Sequence, residues 1–183
     1  MALTVAIVGA GPLGRWLALE AARAGFNVLL EDVMPSNLHH AQEYLRRQLG
    51  PGAAGLEAPG VQYVSTIEDA VRDADLVIDC VPDELESKLE ILWLLDRMAP
   101  PRTVFVTPTM RLSIADLAHC TYRPEKCVAL AVEATTLTAG ASREILLRTS
   151  PRTAPETVAL VTHFWGELGF TPAFKPDQAA EPR

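Results

Sequence analysis

A chain of 183 residues, 49% apolar and 21% charged, has the size and make-up of one soluble globular domain with a sizeable core. Its net charge of −7 and pI of about 5.1 exclude a surface built for nucleic acid or for an anionic membrane. The three cysteines (Cys80, Cys120, Cys127) lack metal-ligand spacing, the start lacks a signal-type pattern, and no apolar run has membrane-spanning length, so a reduced cytoplasmic protein without a bound metal is expected.

The chain opens on a strand, Leu3 to Val8, followed by Gly9-Ala10-Gly11-Pro12-Leu13-Gly14, a GxGxxG pattern. A helix follows, with apolar residues at Leu13, Trp16, Leu17, Ala21 and Ala24, and Gly25 stops it as a helix C′ glycine does. A second strand through Val28-Leu29-Leu30 ends at Glu31-Asp32. Strand, glycine turn, helix and an acidic residue about twenty positions on form the fingerprint of a dinucleotide site. Gly9 serves the tight turn, Gly11 a close approach of backbone to pyrophosphate, and Gly14 the packing of helix on strand. Pro12 sits at the helix start, where its missing N–H costs nothing. Glu31 and Asp32 both qualify to grip the adenosine ribose, and a carboxylate there favours NAD over NADP.

Pro35-Ser36-Asn37 punctuates, Leu38 to Leu49 reads as a polar amphipathic helix, and Gly50 to Gly60 is a loop rich in breakers. Val61–Val64 is a strand and Thr66–Arg72 a short helix. Ala74–Val81 is a buried strand closed by Pro82, and Asp83–Met98 is the strongest helix, with Leu85, Leu89, Leu92 and Leu95 on one stripe. Thr103–Thr107, Cys127–Val132, Glu144–Leu147 and Thr171–Phe174 are further strands. Leu112–Leu117, with Ser113 a candidate cap, and Pro155–Leu168 are helices, and a polar, disordered tail is expected at 175–183. The alternation predicts an α/β protein: a Rossmann-type, doubly wound, largely parallel sheet in a single domain over residues 1–174. Ligands of such a sheet bind beyond the carboxyl ends of its strands, where Gly9–Gly14, Asp32, Pro82-Asp83 and Pro108-Thr109 all fall.

The blocks VAIVGAGPLG (Val5–Gly14), VLLED (Val28–Asp32), ADLVIDCVPDELESK (Ala74–Lys88), LSIADL (Leu112–Leu117), RPEKCVAL (Arg123–Leu130) and Thr149–Pro172 follow one another in an order that resembles the NAD-binding domain of the 3-hydroxyacyl-CoA dehydrogenase family. The resemblance implies oxidoreductase ancestry, fatty-acid metabolism, NAD as cofactor and an acyl-CoA-like substrate. It places the cofactor against Gly9, Gly11, Pro12, Leu13, Gly14 and Asp32, with Asp32 preferred to Glu31 as the ribose ligand. Val81, Asp83, Lys88 and Thr109 complete the implied cofactor set; Asp83 stands where the family has glutamate, and Lys88 is either near the cofactor or a surface lysine.

The catalytic set implied by the resemblance departs. The position of the family's histidine is Ala131, that of the following asparagine is Ala134, and that of the substrate-binding serine is Met110. Glu144 stands one residue from the place of the glutamate that orients the histidine. Glu133, two positions beyond Ala131, would share its face on a continuing strand and is a candidate base if buried; the other reading is a solvated loop carboxylate. The family's helical C-terminal domain is expected to begin near Asp177. Two functions follow: an oxidoreductase of the 3-hydroxyacyl-CoA dehydrogenase type with altered chemistry, or a non-catalytic NAD(H)-binding module. The second would act as a homodimer or beside a partner subunit that completes the site.

Overall fold

The computed structural model describes residues 3–49, 60–140 and 142–177, so most of the Gly50–Gly60 loop and the tail beyond Asp177 lie outside the described residues. Contacts sort the chain into two compact halves: Met1–Cys80 with Met98–Thr103, and Val81–Arg97 with Val104–Arg183. Both follow the expected Rossmann-type α/β plan of mostly parallel strands and covering helices. Among the described residues no helix is long and apolar enough to cross a membrane.

The first half contains β1 (Thr4–Val8), α1 (Pro12–Arg23), β2 (Asn27–Glu31), α2 (Pro35–Leu49), β3 (Val61–Val64), α3 (Ile67–Val71) and β4 (Leu76–Asp79). Its strands lie in the order β3-β2-β1-β4, all parallel. Val5-Ala6-Ile7 of β1 and Leu76-Val77-Ile78 of β4 are fully buried, as continuous apolar runs must be in a sheet covered on both faces. Val8 is level with Glu31 on one side and Asp79 on the other. The turn after β1 and the acidic residue after β2 therefore leave the sheet at one edge.

The second half contains α4 (Leu85–Met98, ending at the boundary), β5 (Val104–Pro108), α5 (Ile114–Ala118), β6 (Cys127–Leu130), α6 (Ala134–Thr138), β7 (Glu144–Thr149), α7 (Pro155–Glu167) and β8 (Thr171–Pro176). Strands β5 and β6 are parallel, β7 is antiparallel to β6, and β8 runs parallel to β7 as the outermost strand. Trp165 of α7 is fully buried and meets Phe164 and Phe170 edge-on, at centroid distances of 5.3 and 5.6 Å. Buried Asp96 pairs with half-buried Arg123 at 2.7 Å and also accepts the Tyr122 N–H at 2.9 Å. Cys127 is buried, which pushes its thiol up to about 12, while Cys80, also expected to be buried, is only half-buried.

Several boundaries differ from expectation. Helix α2 starts at Pro35, three residues before Leu38, because proline suits the first position of a helix. Strand β6 stops at Leu130 rather than Val132, and the chain turns into α6, a short helix absent from the sequence reading. Strand β8 runs on to Pro176 instead of ending at Phe174, so the polar tail does not start at Lys175. Ser113 does cap α5, accepting the Asp116 N–H at 3.2 Å.

Candidate functional site

The three glycines of the first turn do separable work. Gly9 has φ +102°, a conformation L side chains rarely adopt, and its N–H donates to the Glu31 carbonyl at 2.8 Å. A Cβ on Gly14 would lie 1.8 Å from the Gly9 carbonyl oxygen, so only glycine lets α1 pack this closely on the turn. Gly11 is the opposite case: its φ is −66° and a Cβ there would meet nothing within 4 Å. The space above Gly11 is open. Gly11 is also the N-cap of α1 and offers no side chain to its first-turn N–H groups. Those groups lack partners within a helix, and with the positive end of the helix dipole they suit a pyrophosphate. Pro12 is exposed at the first helical position and Leu13 is half-buried beside it.

Asp32 follows directly from β2 and is only 8% exposed. Its Oδ2 accepts the Ala10 N–H at 2.9 Å and an Asn37 side-chain N–H at 3.0 Å, and its Oδ1 accepts the Met34 N–H at 2.8 Å. The carboxylate is thus tied to the glycine turn on one side and the start of α2 on the other. A carboxylate has about four acceptor positions, so capacity is left for a ribose hydroxyl. Asn37 escaped the sequence reading; the signal was an Asx residue at the start of a helix close behind an aspartate. Glu31, the other candidate, is 5% exposed. Burial, and secondarily the charge of Asp32, push its carboxyl up to about 7. The pair divides its roles: Asp32 is the hydrogen-bonded carboxylate, and Glu31 is the one driven toward its neutral form.

In the second half, Asp83 is exposed and its Oδ2 accepts the Met110 N–H at 3.0 Å, which joins the start of α4 to the turn after β5. Val81 is half-buried. Thr109 is buried, and its hydroxyl oxygen accepts the N–H groups of Leu112 at 3.0 Å and Arg111 at 3.4 Å. Arg148 of β7 donates to the carbonyls of Thr109 at 2.9 Å and Leu112 at 3.0 Å, and pairs with Asp177 at 3.1 Å. Asp177 in turn accepts from the Ser113 hydroxyl at 2.7 Å and the Ala115 N–H at 3.0 Å. Arg148 and Asp177 went unnoticed in the sequence, although an arginine directly after the apolar Ile145-Leu146-Leu147 was a signal. Lys88 is completely buried on α4, which overturns its reading as a surface lysine.

The catalytic candidates do not converge. Ala131 is half-buried just past β6, its N–H bonded to the Leu146 carbonyl at 2.9 Å. Because β6 ends at Leu130, the alternation that aligned Glu133 with Ala131 does not hold; Glu133 sits at the N-cap of α6 without a side-chain cap bond. It is exposed, so the burial its role as a base required is missing. Glu144 is exposed at the first position of β7, where its backbone N–H donates to the Ser142 hydroxyl at 3.0 Å. Met110 is 49% exposed and offers a thioether where the resemblance implied a hydroxyl. His119 is exposed, and His163 lies at the surface 3.8 Å from Glu167.

Comparison with known proteins matches residues 4–174 to the family described as 3-hydroxyacyl-CoA dehydrogenase, NAD binding domain. A probable 3-hydroxybutyryl-CoA dehydrogenase of Bacillus subtilis is 30% identical over 135 residues, which cover 69% of this chain and 47% of that protein. A 5-formyl-3-hydroxy-2-methylpyridine 4-carboxylate 5-dehydrogenase of Mesorhizobium japonicum is 28% identical across 94% of this chain and 57% of its own length. The crystal structure of an (S)-3-hydroxybutyryl-CoA dehydrogenase from Ralstonia eutropha superposes with a TM-score of 0.87, covering 97% of this chain and 65% of that one; at 20% identity the likeness is one of fold. The chain spans about half the length of the curated relatives it matches.

Proposed function

The chain belongs to the family of 3-hydroxyacyl-CoA dehydrogenase NAD-binding domains, and from that premise we propose that it binds NAD(H) through Gly9–Gly14 and Asp32 and does not by itself turn over a hydroxyacyl-CoA. The observation that carries the cofactor half is the open space over Gly11 beside a carboxylate fixed by three N–H groups. In this reading the N–H groups at the start of α1, around Pro12 and Leu13, hold the pyrophosphate, and Asp32 accepts from the adenosine ribose and repels a 2′-phosphate. Val81, Asp83 and Thr109 of the second half belong to the cofactor set on the strength of the resemblance alone. Bound NAD supplies the hydride acceptor, and the chain's part is to place it.

The catalytic half of the proposal rests on the residues around Ala131. A general base contributes about 10²–10⁴-fold to such a reaction, and Glu133 and Glu144 are both exposed. Base, orienting carboxylate and oxygen-binding serine act as a unit, so their joint replacement removes most of the acceleration. We read residues 1–174 as one NAD-binding domain of a cytoplasmic protein whose acyl-CoA-like chemistry depends on groups from a partner subunit or a second copy.

Two measurements test this. Calorimetric titration should find NAD(H) bound more tightly than NADP(H), with the preference weakened in Asp32→Ala; binding of neither nucleotide refutes the cofactor assignment. NADH oxidation with acetoacetyl-CoA should be negligible at high protein concentration. Turnover at ordinary enzyme rates that Glu133→Ala abolishes refutes the non-catalytic reading and restores Glu133 as the base.

A further inference from the structure

In the second half, the end of the sheet where β6 begins carries a cavity of about 220 Å³, walled by Ala115 and Ala118 of α5 and by Pro124 and Pro151. Pro124 lies in the short turn ahead of Cys127. Ser150, also in the wall, follows Thr149, which is level with Val128 near the start of β6. Thr109 lies at the opposite end of these strands, after the pair Pro108 and Leu130. Ligands of a parallel sheet gather at that carboxyl end, so the cavity is a separate place. Its volume lies below the about 300–1,000 Å³ of sites for drug-sized molecules, which restricts it to a small ligand.

The alanines and prolines make the walls apolar, and the rim is basic. His119 closes α5 four residues after Ala115 and one after Ala118, so it shares their face; it and Arg152 are exposed and also line the cavity. No described wall residue carries a carboxylate. Among the described residues, neither the Arg152 guanidinium nor the His119 ring has a hydrogen bond or an ion pair, although both backbone N–H groups do. The walls are held in place without a ligand. The Arg152 N–H donates to the Ser150 hydroxyl at 3.2 Å and the Ser150 N–H to the Thr153 hydroxyl at 2.9 Å, which closes the turn on itself. The Ala154 N–H and the Thr157 hydroxyl both donate to the Glu125 carbonyl, at 2.8 and 2.9 Å, and tie that turn to the Pro124 wall. On the α5 side the Thr121 hydroxyl donates to the Ala118 carbonyl at 2.9 Å. Preformed walls spare an incoming molecule the ordering of its own site.

We infer that this cavity is a binding site for a small carboxylic acid with a short hydrocarbon chain, its chain against Ala115, Ala118, Pro124 and Pro151 and its carboxylate on Arg152 and His119. A guanidinium fork matches the two oxygens of a carboxylate, and the imidazole adds an N–H donor. The alanines and prolines select for the hydrocarbon part, which leaves water on entering. The inference goes beyond the cofactor reading and does not rest on it.

The test is a titration of the isotope-labelled chain with sodium hexanoate at constant pH and ionic strength, followed by NMR. Saturable shifts are expected at the backbone N–H groups of Ala115, Ala118, His119 and Arg152. Arg152→Ala should weaken binding about fivefold, the size of one exposed charge contact, and Arg152→Lys should restore only part of it because it lacks the fork. Ala115→Leu, at a half-buried wall position, should abolish the response by filling the cavity while the rest of the spectrum keeps its dispersion. Two further probes divide the ligand: 1-hexanol has the chain without the carboxylate, and acetate the carboxylate without the chain. Each should bind at least about fivefold more weakly than hexanoate. Hexanol binding as tightly as hexanoate overturns the role of Arg152 and His119, and acetate doing so overturns the role of the apolar walls. Shifts confined to Gly9–Gly14, or a linear drift that sodium chloride reproduces, overturn the site itself.

Discussion

Two substitutions, Gly11→Ala and Gly14→Ala, separate what the glycine turn does for folding from what it does for the ligand. At Gly14 the added methyl carbon would stand 1.8 Å from the Gly9 carbonyl oxygen, far inside van der Waals contact. Neither side yields easily, since Gly9 is held at φ +102° with its N–H bonded to Glu31 at 2.8 Å. Overpacking of this kind costs about 1–3 kcal/mol and occasionally more. Against it, alanine gains about 1 kcal/mol over glycine as a helix former. With the cost at the upper end of that range, as a 1.8 Å approach to a backbone oxygen requires, the net loss is up to about 2 kcal/mol and lowers the melting temperature by up to roughly 4–8 °C in a chain of this size. At Gly11 the methyl meets no protein atom and the backbone is unstrained at φ −66°. A stiffer unfolded chain gains about 0.4–1 kcal/mol, offset by a poorer N-cap, so stability should stay within about 0.5 kcal/mol of the parent. The methyl instead fills the space assigned to the pyrophosphate, and NAD affinity should fall at least tenfold, or about 1.4 kcal/mol. Thermal unfolding and calorimetric titration of both variants check this. A Gly11→Ala protein that binds NAD with parental affinity refutes the placement of the pyrophosphate, and a Gly14→Ala protein of parental stability refutes the packing role.

Glu31 makes stability depend on pH. Its folded value of about 7 lies above the ordinary glutamate value of 4.5, so the folded chain binds the proton more tightly than the unfolded one. The favourable contribution is complete below about pH 4.5, declines as pH rises toward 7 and is gone above it. Glu31→Gln should therefore raise stability at pH 8 by up to about 3 kcal/mol and flatten the profile between pH 5 and 8; denaturant unfolding at several pH values measures both. Asp96→Ala takes the carboxylate from the half-buried Arg123, which keeps the residue 96 backbone carbonyl, and should cost about 1–3 kcal/mol in urea unfolding. Asp177→Asn removes the charge facing Arg148 and weakens the bonds to Ser113 and Ala115. Hydrogen exchange should then quicken at the start of α5 while β1 and β4 stay protected, and unchanged exchange at Ala115 would count against that tie.

What the sequence revealed depended on how local the cause was. Residues 3–32 were legible because strand, glycine turn, helix and acidic residue lie in one short stretch and each has a local physical reason. The core run Leu76–Ile78 was legible from apolar continuity alone. Helix α6 was not: Ala134–Thr138 is a single turn rich in β-branched threonine, with little propensity of its own. The last residues of β8 looked polar, and their strand character comes from pairing with β7. Asp177 meets Ser113 across 64 positions and Arg148 across 29, separations that no periodicity records. Lys88 shows the limit most plainly, since residue type argued for the surface and tertiary packing buried it completely. At the site, spacing singled out Gly9–Gly14 and Asp32 as candidates, whereas the expected reach of Glu133 failed with the early end of β6.

The outer edge of β8 bears on how copies of the chain meet. The N–H of Thr171 points inward to the Arg143 carbonyl, and that of Asp177 to the Thr149 carbonyl. Strand alternation then turns residues 172, 174 and 176 outward. Two of these are Pro172 and Pro176, which have no N–H to offer, so Phe174 holds the one donor on the free side of Thr171–Pro176. An incoming strand finds almost no ladder to extend, and the outermost strand is guarded against runaway edge-to-edge aggregation by two ring-closed nitrogens.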